Sequence, residues 1–303
     1  MYNKTWLSVI KVVIFDMDGT LYQDDTYLER YIRYLLEGTE HEGDTEAAMR
    51  LGRAILSDCH AIRFGYFYHT RDDVSLVQEG ERFVRSLTWD GTAGEGPAQD
   101  YESLSAHEPY LIPIGDPWGI AAALSHRYKL PEQRLRSAFE RVRGEMLLPP
   151  YGFACHDDLF RAIEELTAVE KKSLMTNTHL ESGVAFVGYM GIGHLFGDVA
   201  YGANKPAGLQ SYFGSLLAQG YRPEEILSIG DNPWNDLHPV KKLGGRTCFI
   251  SPYPSSDPEV WDLRLHRLEE LAQLMRVIQQ SITGRKIADG EDRVEADKQE
   301  IQG

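Results

Sequence analysis

Residues 9–22 read VIKVVIFDMDGTLY, and how this stretch is parsed fixes the class of fold. The apolar, β-branched run Val9 to Phe15 is long enough for one buried strand and too short for a typical helix. It stops at a turn-forming cluster, Asp16 to Thr20. Two acids therefore sit at the carboxyl end of a strand, Asp16 and Asp18, with only Met17 between them and Gly19 free to turn the backbone sharply. In an open α/β sheet that end is where ligands bind, because loops leaving the strands gather there beside helix N-termini.

A chain of 303 residues can bury a sizeable core and usually makes two domains. With 42% hydrophobic and 25% charged residues it falls in the globular class. The formal net charge of -15 repels a phosphate backbone, and the sequence has no basic patch to offset it, so a nucleic acid polymer is not an expected partner. Cys59, Cys155 and Cys248 are odd in number, widely spaced and without a Cys-x-x-Cys pair. That argues against a disulfide framework or a zinc site and predicts a reducing, cytoplasmic setting. The N-terminal apolar run carries Lys11 and leads into the acidic turn, not into a cleavage site, so a secretory leader is not expected. No run reaches the about 20 apolar residues of a membrane span.

After Tyr22 the periodicity changes. Tyr27, Tyr31, Tyr34 and Leu35 recur at helical spacing, and Ala47 to Ile62 repeats the pattern. Tyr66 to His69 reads as a short strand, Val74 to Leu87 as a helix, and Thr88 to Ala98 as a Gly-rich loop. Ile120 to Tyr128 and Glu132 to Leu148 are helical, the second closing before Pro149-Pro150. Gln23 to Pro150 is too long for a loop in a compact domain and is read as an inserted, mainly helical domain. Strands and helices then alternate: a helix at His156 to Leu166, a strand at Ser173 to Met175, a helix at Val184 to Met190 and a strand at Val199 to Tyr201. A helix at Pro206 to Leu217 and strands at Ile226 to Ile229 and Thr247 to Ile250 complete the series. Such βα alternation predicts a parallel sheet wrapped by helices. The expected organisation is an α/β core from residues 1–22 and 151–255, the insertion at 23–150, an amphipathic helix from Leu263 to Ile282 within 256–283, and a disordered charged tail at 284–303.

Asp16-Met17-Asp18-Gly19-Thr20 resembles the first motif of the haloacid dehalogenase-like superfamily of phosphotransferases. Three further segments follow in that superfamily's order. Thr176, in Leu174-Met175-Thr176-Asn177, resembles the second motif, and Lys205, before Pro206, the third. Gly230-Asp231-Asn232-Pro233-Trp234-Asn235-Asp236 resembles the acidic fourth, Gly-Asp-x-x-x-x-Asp. Each alone is commonplace, as a capping Thr, a helix-opening Lys-Pro or a turn; their order, each after a predicted strand or at a helix start, carries the resemblance. It covers Val9 to Tyr22 and about Tyr151 to Ser251, and implies a Rossmann-like three-layer core with a parallel sheet and a type 1 helical cap at Gln23 to Pro150.

The resemblance also implies roles. Asp16 attacks phosphorus to form an aspartyl-phosphate, and Asp18 protonates the leaving alcohol and then activates water. Asp16, Asp231 and Asp236, with the backbone carbonyl of Asp18, surround Mg²⁺, whose charge keeps crowded acids ionised. Lys205 neutralises the transferring oxygens, which the Thr176 hydroxyl and the Asn177 backbone N–H hold. The implied activity is a Mg²⁺-dependent phosphatase acting on a small phosphorylated metabolite, such as a nucleotide or sugar phosphate, with no membrane partner. The alternatives are a phosphomutase or phosphotransferase of the same chemistry, and a catalytically silent binding protein on the same fold. Cap residues near Arg63, Phe64 and Tyr66 are candidates for substrate contact, with cap packing the favoured reading, and His156, His179, His194 and His238 are read as structural or surface residues.

Overall fold

The N-terminal apolar run splits in two. Thr5–Val9 winds into a 3-10 helix, and only Val12–Phe15 forms strand β1, buried at every residue. Lys11 marks the break, pairing with Glu225 at 3.2 Å on the rim of the sheet. The structure, a computed structural model, describes residues 4–80, 82–92, 101–256 and 261–301, with 286–301 as backbone alone.

The insertion contributes α1 (Tyr27–Leu36), α2 (Thr45–Leu56), β2 (Tyr66–His69), β3 (Val74–Glu79), β4 (Arg82–Leu87), β5 (Leu111–Ile114), α3 (Pro117–Arg127) and α4 (Glu132–Glu145). The core resumes with α5 (Asp157–Glu164), β6 (Lys171–Met175), α6 (Leu180–Met190), β7 (Asp198–Ala200) and α7 (Ala207–Ala218). It closes with β8 (Ile226–Gly230), α8 (His238–Lys242), β9 (Arg246–Ile250), β10 (Leu263–Leu265) and α9 (Leu268–Ile301).

The core strands form a parallel six-stranded sheet in the order β10-β9-β8-β1-β6-β7. Alternation along β1 sends Val12 and Ile14 to one face, against Leu209, Phe213 and Leu216 of α7. Val13 and Phe15 face the other side, against Leu159, Ile163, Phe186, Leu271 and Met275. The result is the three-layer, Rossmann-like core that a strand apolar on both sides requires. Register sets where the acids emerge, because Phe15 lies opposite Leu174 of β6 and Ile229 of β8. Asp16, Thr176 and Asp231 therefore leave the sheet along the same edge.

Among the described residues the insertion holds a four-stranded antiparallel sheet, β4-β3-β2-β5, beside α1 to α4. Val74 to Leu87, expected as a helix, is a hairpin. Its true period is two, interrupted by a register shift opposite Val77 and Gln78: Val74, Leu76 and Phe83 pack on Phe67 and Leu111, while Val77 and Leu87, across the shift, join the opposite face. Gly80, with φ +60, supplies the turn. Of the expected loop Thr88 to Ala98, residues 93–98 lie outside the described residues. The helix α3 starts at Pro117, earlier than expected, because Asp116 caps it by accepting from the Gly119 N–H at 2.8 Å. Leu263–Leu265, expected within the last helix, instead adds edge strand β10 parallel to β9, with Leu263 and Leu265 buried alternately. That helix begins at Leu268 and continues past Gly284, where a disordered tail was expected, to Ile301. The sequence beyond Gly284 is rich in Ala, Lys, Arg, Gln and Glu, which are strong helix formers; residues 302–303 lie outside the described residues. Among the described residues no helix is long and apolar enough to cross a membrane.

Phe213 is fully buried beneath β1. Phe213→Ala is expected to lower unfolding free energy by about 3–5 kcal/mol, read from urea denaturation; a loss under about 1 kcal/mol contradicts this packing.

Candidate active site

The turn after β1 is built to aim two carboxylates. The Asp16 N–H still donates to the Ile229 carbonyl at 2.9 Å, as a last rung of the ladder, and then Met17 O accepts from Leu21 N at 2.9 Å. Gly19 sits at φ +75, and a Cβ there would overlap the Asp231 carboxylate. Only glycine meets both demands. Asp16 ends up buried, and its Oδ2 accepts from the Thr20 hydroxyl at 3.2 Å.

Oxygens of Asp16, Asp231 and Asp236 all lie within 4.8 Å of one another. Asp231 leaves the end of β8, and Asp236 comes from the single π-helical turn Pro233–Leu237 beyond it. That turn is pinned locally: Asn232 Oδ1 accepts from Asn235 N at 3.2 Å, and Asn232 N donates to Asp236 Oδ2 at 3.1 Å. Ser228 Oγ donates to the Asp236 carbonyl at 2.8 Å. Lys205 Nζ donates to Asp16 Oδ1 and to Asp236 Oδ1, each at 2.6 Å. Its backbone is clamped by Asn177, whose Oδ1 accepts from Lys205 N at 2.7 Å and whose Nδ2 donates to Lys205 O at 3.1 Å. The Asn177 side chain thus joins the loop after β6 to the loop after β7, a role the sequence did not disclose.

Burial is the dominant electrostatic influence on this cluster. It pushes the Asp16 carboxyl up to about 8; Lys205 opposes the shift, and Asp236 and Asp18 add to it. Asp231 is driven well above the carboxylate range by burial and then by Asp116, Asp16 and Asp236. For Lys205 burial disfavours the charge, but Asp16 and Asp236 outweigh it and hold the ammonium. One lysine does not balance three buried acids. Among the described residues no hydrogen-bond donor reaches the Asp231 carboxylate, and the donor set is all hard oxygen. These features fit Mg²⁺.

Asp18 faces elsewhere. Its carboxylate accepts from Arg143 Nη1 and Tyr22 OH in short contacts, from Thr178 Oγ1 at 2.9 Å and from Thr176 Oγ1 at 3.3 Å. Burial raises its pKa, but Arg143 and then Tyr22 outweigh that and leave it below the usual range, in the form that accepts a proton. Of the four acids expected around a metal, three converge through their carboxylates, and Asp18 has only its backbone carbonyl to offer. Thr176 stands at the end of β6 on the same cavity as Asp16, Asn177 and Lys205.

Arg143, on α4 of the insertion, is 2% exposed and also donates to Tyr22 OH at 3.0 Å and Ser182 Oγ at 2.9 Å, its guanidinium 3.3 Å from the Phe186 ring centre. No role was assigned to Arg143 from sequence. The available signal was its place four residues after Phe139, beside Val142 on the apolar stripe. A second tie across the same boundary, Asn232 Nδ2 to Asp116 Oδ2 at 2.7 Å, was also missed. Arg63, Phe64, Tyr66 and the named histidines do not line the cavity; Arg63 pairs with Asp58 at 3.3 Å, and His156 caps α5.

These charges have two measurable consequences. Asp16 keeps its proton to about 8 in the folded, cation-free chain and to near 3.8 when unfolded. The folded state therefore binds more protons between those values, and stability falls as pH rises through them. Mg²⁺ is expected to raise Tm, and by more at pH 8 than at pH 5; an equal shift at both contradicts this charge balance. Arg143→Ala leaves Asp18 and Tyr22 without their buried partner and is expected to cost about 3–5 kcal/mol by chemical denaturation, with Arg143→Lys costing less.

The model of the haloacid dehalogenase-like hydrolase family matches residues 10–244. No curated protein matches. Among solved structures, a predicted phosphoglycolate phosphatase from Haemophilus somnus 129PT is similar at 14% identity and TM-score 0.50, covering 88% of this chain and 98% of its own. The HAD-hydrolase YfnB from Bacillus subtilis, at 16% identity and TM-score 0.49, covers the same shares. The L-2-haloacid dehalogenase RSc1362, at 17% and 0.47, covers 88% of this chain and 99% of its own. Such distances speak to fold alone. The family match spans most of the chain and takes in Asp16, Asp18, Thr176, Lys205, Asp231 and Asp236: this protein belongs to the haloacid dehalogenase-like hydrolases.

Proposed function

We propose that this hydrolase is a Mg²⁺-dependent phosphatase that cleaves a small phosphate monoester through an aspartyl-phosphate on Asp16. The observation that carries this reading is the Asp16, Asp231 and Asp236 cluster bridged by Lys205, with a second acid, Asp18, opening onto the same cavity. Carbon–halogen hydrolysis needs a nucleophilic carboxylate but neither a cluster of metal-binding acids nor an Asp18 to carry protons. Phosphoryl transfer needs all of them, because charge accumulates on three equatorial oxygens while the nucleophile stays in line with the leaving group.

Asp16 is the nucleophile: its carboxylate oxygen bonds to phosphorus as the ester oxygen departs. Lys205 lies against the Asp16 oxygen and faces the transferring group, and the Thr176 hydroxyl and Asn177 N–H hold the other oxygens. Mg²⁺ bound by Asp16, Asp231, Asp236 and the Asp18 carbonyl supplies the remaining positive charge. Asp18, protonated by solvent or by an incoming phosphate monoanion, gives that proton to the leaving alkoxide and then takes one from the water that hydrolyses the Asp16 phosphoester. Arg143, Tyr22 and Thr178 fix the direction in which Asp18 points. The insertion lines the cavity with Trp118 and Phe139, apolar surface beside the phosphoenzyme.

Asp16→Asn is expected to lower kcat on p-nitrophenyl phosphate with Mg²⁺ by at least about 1,000-fold while the far-UV spectrum is unchanged. Chelation of the metal by EDTA is expected to abolish turnover reversibly. Stoichiometric release of inorganic phosphate identifies a phosphatase; transfer to a sugar hydroxyl without free phosphate identifies a phosphomutase. Full activity in Asp16→Asn or in metal-free protein contradicts the mechanism.

A further inference from the structure

The cavity over Asp16 has a volume of about 290 Å³ and two unlike walls. The core wall carries Asp16, Asp18, Asp231 and Asp236, Lys205, the amide and hydroxyl groups of Thr176 to Thr178, and the neutral amides of Asn232 and Asn235. The wall supplied by the insertion is Ile112, Pro113, Trp118, Ala122 and Phe139, with Asp116 as its single charged side chain. Among the described residues no Lys, Arg or His of the insertion lines the cavity, and Lys205, on the core wall, is already bonded to two carboxylates.

The apolar wall is held in place. Trp118 stacks on Tyr27 at 3.9 Å between ring centres, and Tyr31 and Phe139 pack against it at 5.6 and 5.4 Å. Asp116 is fixed by Gly119 N at 2.8 Å and by Asn232 Nδ2 at 2.7 Å. Asp16, Asp18, Asp116, Asp231 and Asp236 all line the space. Even with a divalent ion bound, and with Arg143 counted beside Lys205, acids outnumber positive charges. A dianionic phosphate uses what positive charge there is. A second anion on the alcohol part of the substrate then meets apolar rings and Asp116, with no cation to pair with, and loses hydration without return. Burial raises Asp116 above its ordinary range, and a protonated Asp116 likewise offers an anion no counter-charge.

Resting on the phosphatase reading, we propose that the apolar, base-free wall built by Trp118, Phe139, Ile112 and Asp116 selects phosphate esters of neutral or cationic alcohols and rejects those whose alcohol carries a carboxylate or a second phosphate. Phosphoglycolate and sugar bisphosphates fall in the rejected class. The selection resides in the insertion, and the chemistry on Asp16 is the same for both classes.

The test compares kcat/KM, with Mg²⁺, for phenyl phosphate, 4-(aminomethyl)phenyl phosphate and 4-carboxyphenyl phosphate. The carboxylated ester is expected to be poorer than both others by about tenfold or more, although its phenol is the better leaving group than unsubstituted phenol. Equal or faster cleavage of the carboxylated ester overturns the proposal and leaves the phosphatase reading intact. Calorimetric titration of the Mg²⁺-loaded protein with phenylphosphonate and 4-carboxyphenylphosphonate measures the same selection without turnover. If no ester is cleaved, the phosphatase reading fails, and this pair still decides. Tighter binding of phenylphosphonate by about tenfold supports the selection; equal affinity, or no binding of either, overturns it.

Discussion

The structure depends on a group of acids that cannot be buried together in ionised form without positive charge. Asp16, Asp231 and Asp236 are each less than a tenth exposed, and their oxygens share a space 4.8 Å across. Lys205 relieves part of the repulsion with two contacts of 2.6 Å, and it is held there by its backbone as well as by its charge. What Lys205 leaves uncompensated falls on Asp231. If the protein is a Mg²⁺-dependent phosphatase, a divalent ion meets that need, and the same charge draws in a phosphate. Structural demand and catalytic use are then one constraint.

The insertion is bound to this centre by polar contacts at its two helices nearest the cavity. Arg143 of α4 reaches Asp18, and Asp116 at the start of α3 reaches Asn232, the residue that also pins the turn carrying Asp236. Both ties end on loops that position acids. Any displacement of the insertion therefore releases Asp18 and loosens the Asp231 to Asp236 turn together. A domain placed directly after the first acidic turn is in this way wired to the chemistry and not only laid over it.

Much of this was legible in the chain and some was not, for physical reasons. A strand buried on both faces must be apolar throughout, so β1 announced itself, and parallel register then placed Asp16, Thr176 and Asp231 on one edge. The acidic motifs were legible because the turn geometry restricts residue type, as Gly19 does against Asp231. The β3–β4 hairpin was not, because Val74 to Leu87 is dense in apolar residues at spacings that suit either period, and the small sheet it joins exists only through pairing with β2 and β5. Arg143 was hidden for a related reason: its partner Asp18 lies 125 positions away, and no local pattern encodes a contact of that separation. Polar tethers such as Asn177 to Lys205 escape in the same way, since an Asn after a strand is an ordinary turn residue.

The central claim is that one divalent cation completes the acidic cluster. Calorimetric titration of the purified chain with Mg²⁺, repeated on Asp231→Asn, measures this directly. The account predicts one ion bound per chain and at least about tenfold weaker binding in the variant. Binding of equal strength in both, or none in the native chain, contradicts it.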